Sequence, residues 1–343
     1  MLRLLDRHWG LNEMKQKPTN PERNRIPAGI GEADLIKGIE KSGYRLQSVV
    51  ADRLAKRGFY VAEEWGYSDR DSGDTRSLDV LASSDLKFDR RATVVPGLVV
   101  MIECKKSEHP YIFFRMVTQP DMFWFPSVFG LPHGGVSLWE KNPSKNPERH
   151  EIISPSRALG LSELPFVSQG PERAASFSQA IPQGKRVDLS GADAFNNLVL
   201  PLSKAADHAR SVYGHAHGPD NSCVFARAAL SVALLDAPMI LIEGPDRVPE
   251  PIYTPWVRIV RQEPNLDRVS GDTPFRHYGI DAVHIDFFDE YLEKHLSPFA
   301  QEFARRSEKL GDVFLYGGEV PSLDSWSWNE IRKWSGAPAR LSP

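Results

Sequence analysis

Apolar positions along the chain change their period several times, and each change marks an element. In GEADLIKGIEKSG, residues 31–43, Leu35, Ile36 and Ile39 recur at helical spacing, which predicts a short helix stopped by Gly43 in a left-handed turn. Leu46, Val49, Val50 and Leu54 repeat that spacing in YRLQSVVADRLAKRG, where Lys56 and Arg57 complement the C-terminal dipole and Gly58 ends the helix. Three short runs rich in strand-forming residues follow: FYVAEEW (59–65), RSLDVLA (76–82) and LVVMIECK (98–105). Further on, the pattern predicts a helix within LSKAADHARSVYG and strands at PMILIEG (238–244), WVRIVRQ (256–262) and DAVHID (281–286). A helix over FFDEYLEKHL and another opening at Ser297 and Pro298 complete the regular elements.

The stretches between them set the organisation. Residues 1–30 read as a polar N-terminal arm, with three prolines and no period over 11–30. A core in two halves, 31–107 and 191–310, is separated by an insertion at 108–190, aromatic-rich at first and then rich in Pro, Ser, Asn and charge. A tail at 311–343 carries Trp326, Trp328 and Trp334. Because three strands alone make a small core for 343 residues, the segment 192–290 is expected in the same sheet as 59–105, with PMILIEG beside LVVMIECK. The class expected is α/β, a mixed central sheet flanked by helices.

Composition narrows the partners. Hydrophobic residues at 41% and charged residues at 25% fit a globular chain, and no apolar run reaches the roughly 18 residues a membrane span needs. The N-terminus lacks the long apolar stretch of a secretory signal and the only cysteines are Cys104 and Cys223, so a reducing, cytoplasmic setting is expected. A net charge of −3 gives no global attraction to nucleic acid, so any phosphate-binding surface has to be local.

The local candidate is the strand that ends in charge. Side chains alternate across a strand, so Glu103 and Lys105 share one face while Ile102 and Cys104 point to the other. In RSLDVLA, Leu78, Val80 and Ala82 are expected on one face, leaving Asp79 opposite and able to meet Glu103 from an adjacent strand. A carboxylate pair of this kind holds a hard cation through oxygen, with an ammonium group beside it to face a phosphate or a water. Asp79 followed by Glu103-Cys104-Lys105, in a helix-strand-strand-strand context over residues 44–107, resembles the PD-(D/E)XK nuclease superfamily and its Mrr-type restriction enzymes. The resemblance implies a restriction-endonuclease-like fold and a Mg²⁺-dependent endonuclease, with Mn²⁺ as a substitute ion. Asp79, Glu103 and the Cys104 backbone carbonyl would be its metal ligands and Lys105 its catalytic cation. DNA more than RNA would be its substrate, and restriction or antiviral defence its setting, in a homodimer or with an activating protein partner. Where relatives carry an acid on the helix before the first strand, this chain has Gln47, whose amide oxygen can hold a metal-bound water. The rival readings are an ordinary salt bridge at a sheet edge, a non-catalytic nucleic-acid-binding or regulatory module that keeps the fold, and a protein-binding role for the aromatic segment.

Other constellations carry less. SDRDSGD (68–74) lacks the Gly and Glu of a calcium loop at Asp74 and Val80 and reads as a polar hairpin loop. Glu63 and Glu64 alternate, so one of them faces the Asp79 side, with solvent the expected surroundings. His208, His215, His217 and Cys223 match no common zinc spacing. Pro120-Asp121, Pro219-Asp220 and Pro245-Asp246 read as turns. Tyr111, Phe113, Phe114, Phe123, Trp124, Phe125 and Phe129, with Arg115, are expected to form a local core rather than a base-stacking surface.

Overall fold

Backbone hydrogen bonding joins strands from both halves of the chain into one sheet. The computed structural model describes residues 19–86, 92–118, 121–131, 135–140, 149–214, 223–244, 250–264, 275–320, 331 and 333. Residues 1–41 and 42–343 form two units. In the first, α1 (Glu32–Lys41) buries no side chain, and Leu35, Ile36 and Ile39 are exposed. Gly43 does not stop this helix in a left-handed turn: α1 ends at Lys41, and Gly43 is the first residue of α2 (Gly43–Ala55). The left-handed glycine lies one helix later, at Gly58 with φ 84°.

The second unit begins with α2 and three strands, β1 (Tyr60–Ser68), β2 (Thr75–Asp85) and β3 (Val94–Lys106). The middle of the chain supplies β4 (Tyr111–Arg115), β5 (Ser127–Phe129), β6 (Val136–Glu140), β7 (Arg149–Ile153), β8 (Arg173–Gln183) and β9 (Arg186–Ser190). Two short helices, α3 (Pro155–Ala158) and α4 (Pro165–Ser168), lie among them, and α5 (Gly191–Ala194) leads into α6 (Leu200–Tyr213). Next come β10 (Val224–Asp236), β11 (Met239–Ile242), β12 (Pro251–Tyr253), β13 (Trp256–Pro264) and β14 (Phe275–His284). The described chain closes with α7 (Phe288–Glu290), α8 (Ser297–Lys309), α9 (Gly311–Leu315) and β15 (Glu319–Val320).

The main sheet runs β1-β2-β3-β10-β14-β13-β8-β4-β11-β12, with β5 added to β10 and β9 to β8, while β15-β6-β7 form a small second sheet. Segment 108–190, expected between two core halves, thus contributes β4, β5, β8 and β9 to the main sheet itself. Strands β3, β10 and β14 are parallel neighbours, and β2 and β13 run antiparallel beside them. PMILIEG does not pair with LVVMIECK. Its strand β11 lies between β4 and β12, and the neighbour of β3 on the side away from β2 is β10, a strand the apolar pattern does not announce. VFARAALSVALLD is rich in Ala and Leu, which favour helices. It is also buried on both faces, so it shows no alternation for a period-2 search to find.

Helices cover both faces of the sheet. On one, Leu46, Val50 and Leu54 of α2 and Phe299 and Phe303 of α8 pack with Val80, Val100, Ile102 and Cys104. On the other, Leu202, Ala205 and Ala209 of α6 pack with Leu78, Leu81, Met101, Ala229 and Ala233. Ser297 does not start a separate helix: the chain is already helical through a π segment at Tyr291–Leu296, and a second π segment, Phe195–Val199, leads in the same way into α6. Each wide turn ends two residues before a proline, Pro201 or Pro298, whose ring would collide with the carbonyl four residues back in a regular helix.

Candidate functional site

The chemistry-bearing residues gather where β2 and β3 part. Their ladder is regular from Asp85↔Gly97 to Val80↔Ile102, and the next position places Asp79 against Glu103. There a side chain takes over from the backbone: the Cys104 amide donates to Asp79 Oδ2 at 2.7 Å. Gln47, buried on α2, donates through Nε2 to the Asp79 carbonyl at 2.8 Å and ties the helix to the same position. On the exit of β3 the Lys105 ammonium donates to Glu103 Oε1 at 2.6 Å, as their shared face requires. Asp79, Glu103, Lys105, Gln47 and the Cys104 backbone are thereby brought into one place. A Cβ built on Gly43 would stand 3.9 Å from the Cys104 carbonyl oxygen, so the first turn of α2 borders it too.

One expectation about this region fails. Leu78 does not share a face with Val80 and Ala82. It packs on the α6 side, while they pack on the α2 side, so β2 twists at Asp79. Strand β1 does the same at the matching position. Glu63 receives the Ser48 hydroxyl of α2 at 3.3 Å, whereas Trp65 lies 5.4 Å from the ring of His208 on α6. Between them Glu64 has φ 49°, the left-handed region that non-glycine residues rarely occupy. The pairs on either side, Glu63↔Val80 and Trp65↔Leu78, leave Glu64 across from Asp79.

Burial sets the electrostatics. Glu103 is 6% exposed and its carboxyl is pushed up to about 7, chiefly by burial and further by the Asp79 carboxylate, against the opposing pull of Lys105. Asp79 is raised as well, mainly by burial, with the Cys104 amide and Lys105 opposing and Glu64 adding to the rise. Burial drives the Cys104 thiol well above its ordinary range, with both carboxylates reinforcing it, so this sulfur stays a buried apolar group rather than a nucleophile. Tyr67, 2% exposed on β1, is raised by burial and feels both Glu103 and Asp69.

The residues suit an oxygen-ligated cation. Glu103 Oε2 is buried without a hydrogen-bond partner, a costly state for a carboxylate oxygen, and one oxygen of Asp79 is left over after Oδ2 is used. Among the described residues no group of three His, Cys, Asp or Glu side chains stands at metal-binding spacing, and the carboxylates brought together here as the side chains stand are those of Asp79 and Glu103, beside backbone oxygen. Such donors, all hard oxygen, match Mg²⁺ or Mn²⁺ rather than a soft metal.

The remaining candidates resolve into structure. SDRDSGD is a hairpin loop closed on α6: Asp69, 3% exposed, accepts from the Asp71 amide at 3.0 Å and pairs with Arg76 at 3.1 Å and Lys204 at 3.5 Å, and Lys204 also reaches Asp71. Tyr111, Phe113, Phe125 and Phe129 are buried, whereas Phe114 and Phe123 are exposed and Trp124 stacks on His277 at 5.0 Å. His215, His217, Pro120, Pro219, Asp220, Pro245, Asp246, Trp326, Trp328 and Trp334 lie outside the described residues. A fully buried charge that no spacing announces is Arg258, held by both oxygens of Asp281 at 2.7 and 3.1 Å and by the Phe166 carbonyl, and set 4.2 Å from the centre of the Phe125 ring. With Tyr291 completing Asp281 at 3.0 Å, this network is satisfied internally and belongs to the core.

Compared with models of protein families, with curated proteins and with solved structures, the chain matches none.

Proposed function

We propose that the chain is a divalent-metal-dependent nuclease of the PD-(D/E)XK type, hydrolysing phosphodiester bonds of nucleic acid, DNA in preference to RNA. The observation that carries this reading is the buried Glu103 carboxyl, whose Oε1 accepts from the Lys105 ammonium while its buried Oε2 has no hydrogen-bond partner, with the Asp79 carboxylate acting on it as well. Asp79, Glu103 and the Cys104 carbonyl would hold the cation, Mg²⁺ or Mn²⁺. When bound, it supplies positive charge and Lewis acidity toward water and a phosphodiester.

The chain's own residues do the rest. The Cys104 amide and the Gln47 side chain hold Asp79 from two directions, so its free oxygen is aimed before any ligand arrives. Lys105, about a third exposed at the strand exit, keeps one proton on Glu103 and directs the others outward, where they donate to the phosphoryl oxygens as negative charge builds. Its ammonium also orients an attacking water, and the closed packing of Ile102 and Cys104 behind it keeps the strand rigid.

Incubation of the protein with plasmid, single-stranded DNA and RNA, each with Mg²⁺, Mn²⁺ or EDTA, tests the proposal. Cleavage that needs a divalent ion supports it. Cleavage that persists in EDTA contradicts the metal mechanism, and binding without cleavage under every condition identifies a non-catalytic nucleic-acid-binding module instead.

A further inference from the structure

The geometry points to Glu64 as a third carboxylate of this site, a ligand that joins Asp79 and Glu103 around a divalent cation. This inference deepens the nuclease reading and rests on it. Three observations converge on the residue. First, its backbone occupies the left-handed region at φ 49° inside a strand whose pairing on both sides keeps one register. A non-glycine residue held there costs stability, and a regular strand offers no reason for it.

Second, the kink has a directional result. Without it, residues 63 and 65 would share a face. With it, Glu63 goes to α2 and Trp65 to α6, and Glu64 is left at the turning point, opposite Asp79, where β2 turns as well. The Glu64 carboxylate is near enough to act on Asp79 electrostatically.

Third, the site is incomplete in a definite way. Glu103 Oε2 is buried and unpartnered, and α2 offers Gln47, whose amide nitrogen is spent on the Asp79 carbonyl. An oxygen-ligated divalent ion takes six or more donors, and a neutral amide on the helix supplies no charge. Glu64 supplies it from the strand on the other side of Asp79. Its side chain is exposed, so rotation about its own torsions carries the carboxylate to the ion without disturbing the core.

The test is titration of the full chain with Mn²⁺ in the absence of nucleic acid, followed by calorimetry and by the electron paramagnetic resonance signal of the free ion. Near-UV circular dichroism checks that each variant is folded. Wild type is expected to bind, Glu64→Gln to bind ~10-fold or more weakly, and Glu63→Gln, whose carboxylate belongs to the Ser48 contact, to bind as wild type. Equal affinity of Glu64→Gln and wild type overturns the inference while leaving the Asp79–Glu103 site standing. If wild type binds no Mn²⁺, or Asp79→Asn binds as tightly as wild type, the nuclease reading fails and this inference with it.

Discussion

Glu103 combines two properties that a purely structural residue would not keep together: near-complete burial and an oxygen with no partner. An amide is cheaper to bury than a carboxylate, so Glu103→Gln in EDTA at pH 8 is expected to raise the unfolding free energy, by on the order of 1 kcal/mol. Mg²⁺ should then stabilise the wild type and leave the variant unchanged. Thermal unfolding with and without Mg²⁺ reads both effects, and a variant less stable than wild type in EDTA would mark Glu103 as a structural residue. Glu103 and Lys105 are legible because period-2 alternation at the end of an apolar run places them on one face, whereas alternation places Asp79 only relative to Val80 and Ala82, since β2 turns at Asp79. The partner of Gln47 is not legible. Sequence locates the helix, but which atom its amide meets depends on how α2 lies across β2, and it meets a backbone carbonyl. Glu64 was unreadable as well, because alternation assumes an unbroken strand and this one turns at the very residue in question.

Elements were predicted well where their hydrophobic pattern is one-sided and poorly where burial is complete. Half-buried β1 and amphipathic α2 stand close to where their periods put them, whereas β10, buried on both faces, gave no period at all. Helix α8 shows a different dependence, on charge. Arg306 donates to the Leu159 and Gly160 carbonyls at 2.8 and 2.7 Å and is itself held by Glu302 at 2.8 Å. The Arg305 hydrogen bond first, and Arg306 with it, draw the Glu302 carboxyl down to about 2. A folded value below the unfolded one means that the unfolded chain binds the proton more tightly. The stabilisation is therefore present above about 4.5 and lost as pH falls toward about 2. Glu302→Gln is expected to lower stability at pH 7 and to converge on wild type near pH 2. Because Glu302 is partly exposed, the loss at pH 7 should be modest, about 1 kcal/mol or less. Urea titrations at the two pH values check this, and a difference that stays constant with pH would contradict it.

For the molecule as a whole, the decisive fact is that β3, from the first half of the chain, is sandwiched between β2 and β10, from the second. The site therefore depends on both halves and on the segment between them, whose β8 and β4 extend the same sheet. A single cooperative transition is expected for residues 42–343, with tryptophan fluorescence and far-UV circular dichroism coincident along a urea titration. Separate midpoints would show that segment 108–190 folds on its own. Residues that carry the chemistry sit where strands diverge at the end of this sheet, with two helices packed behind them, an arrangement that holds charges apart from water at little conformational cost on ligand binding. In the proposed mechanism Lys105 acts on the reaction. Its most direct test is the cleavage rate of plasmid DNA in Mg²⁺ by wild type and by Lys105→Ala, at matched folded concentrations. The geometry predicts a rate lower by roughly two orders of magnitude or more with unchanged DNA binding, a loss far beyond what the lower unfolding midpoint expected from leaving the buried Glu103 carboxylate without its cation would explain at matched folded concentrations. A Lys105→Ala protein that cuts as fast as wild type would contradict the account.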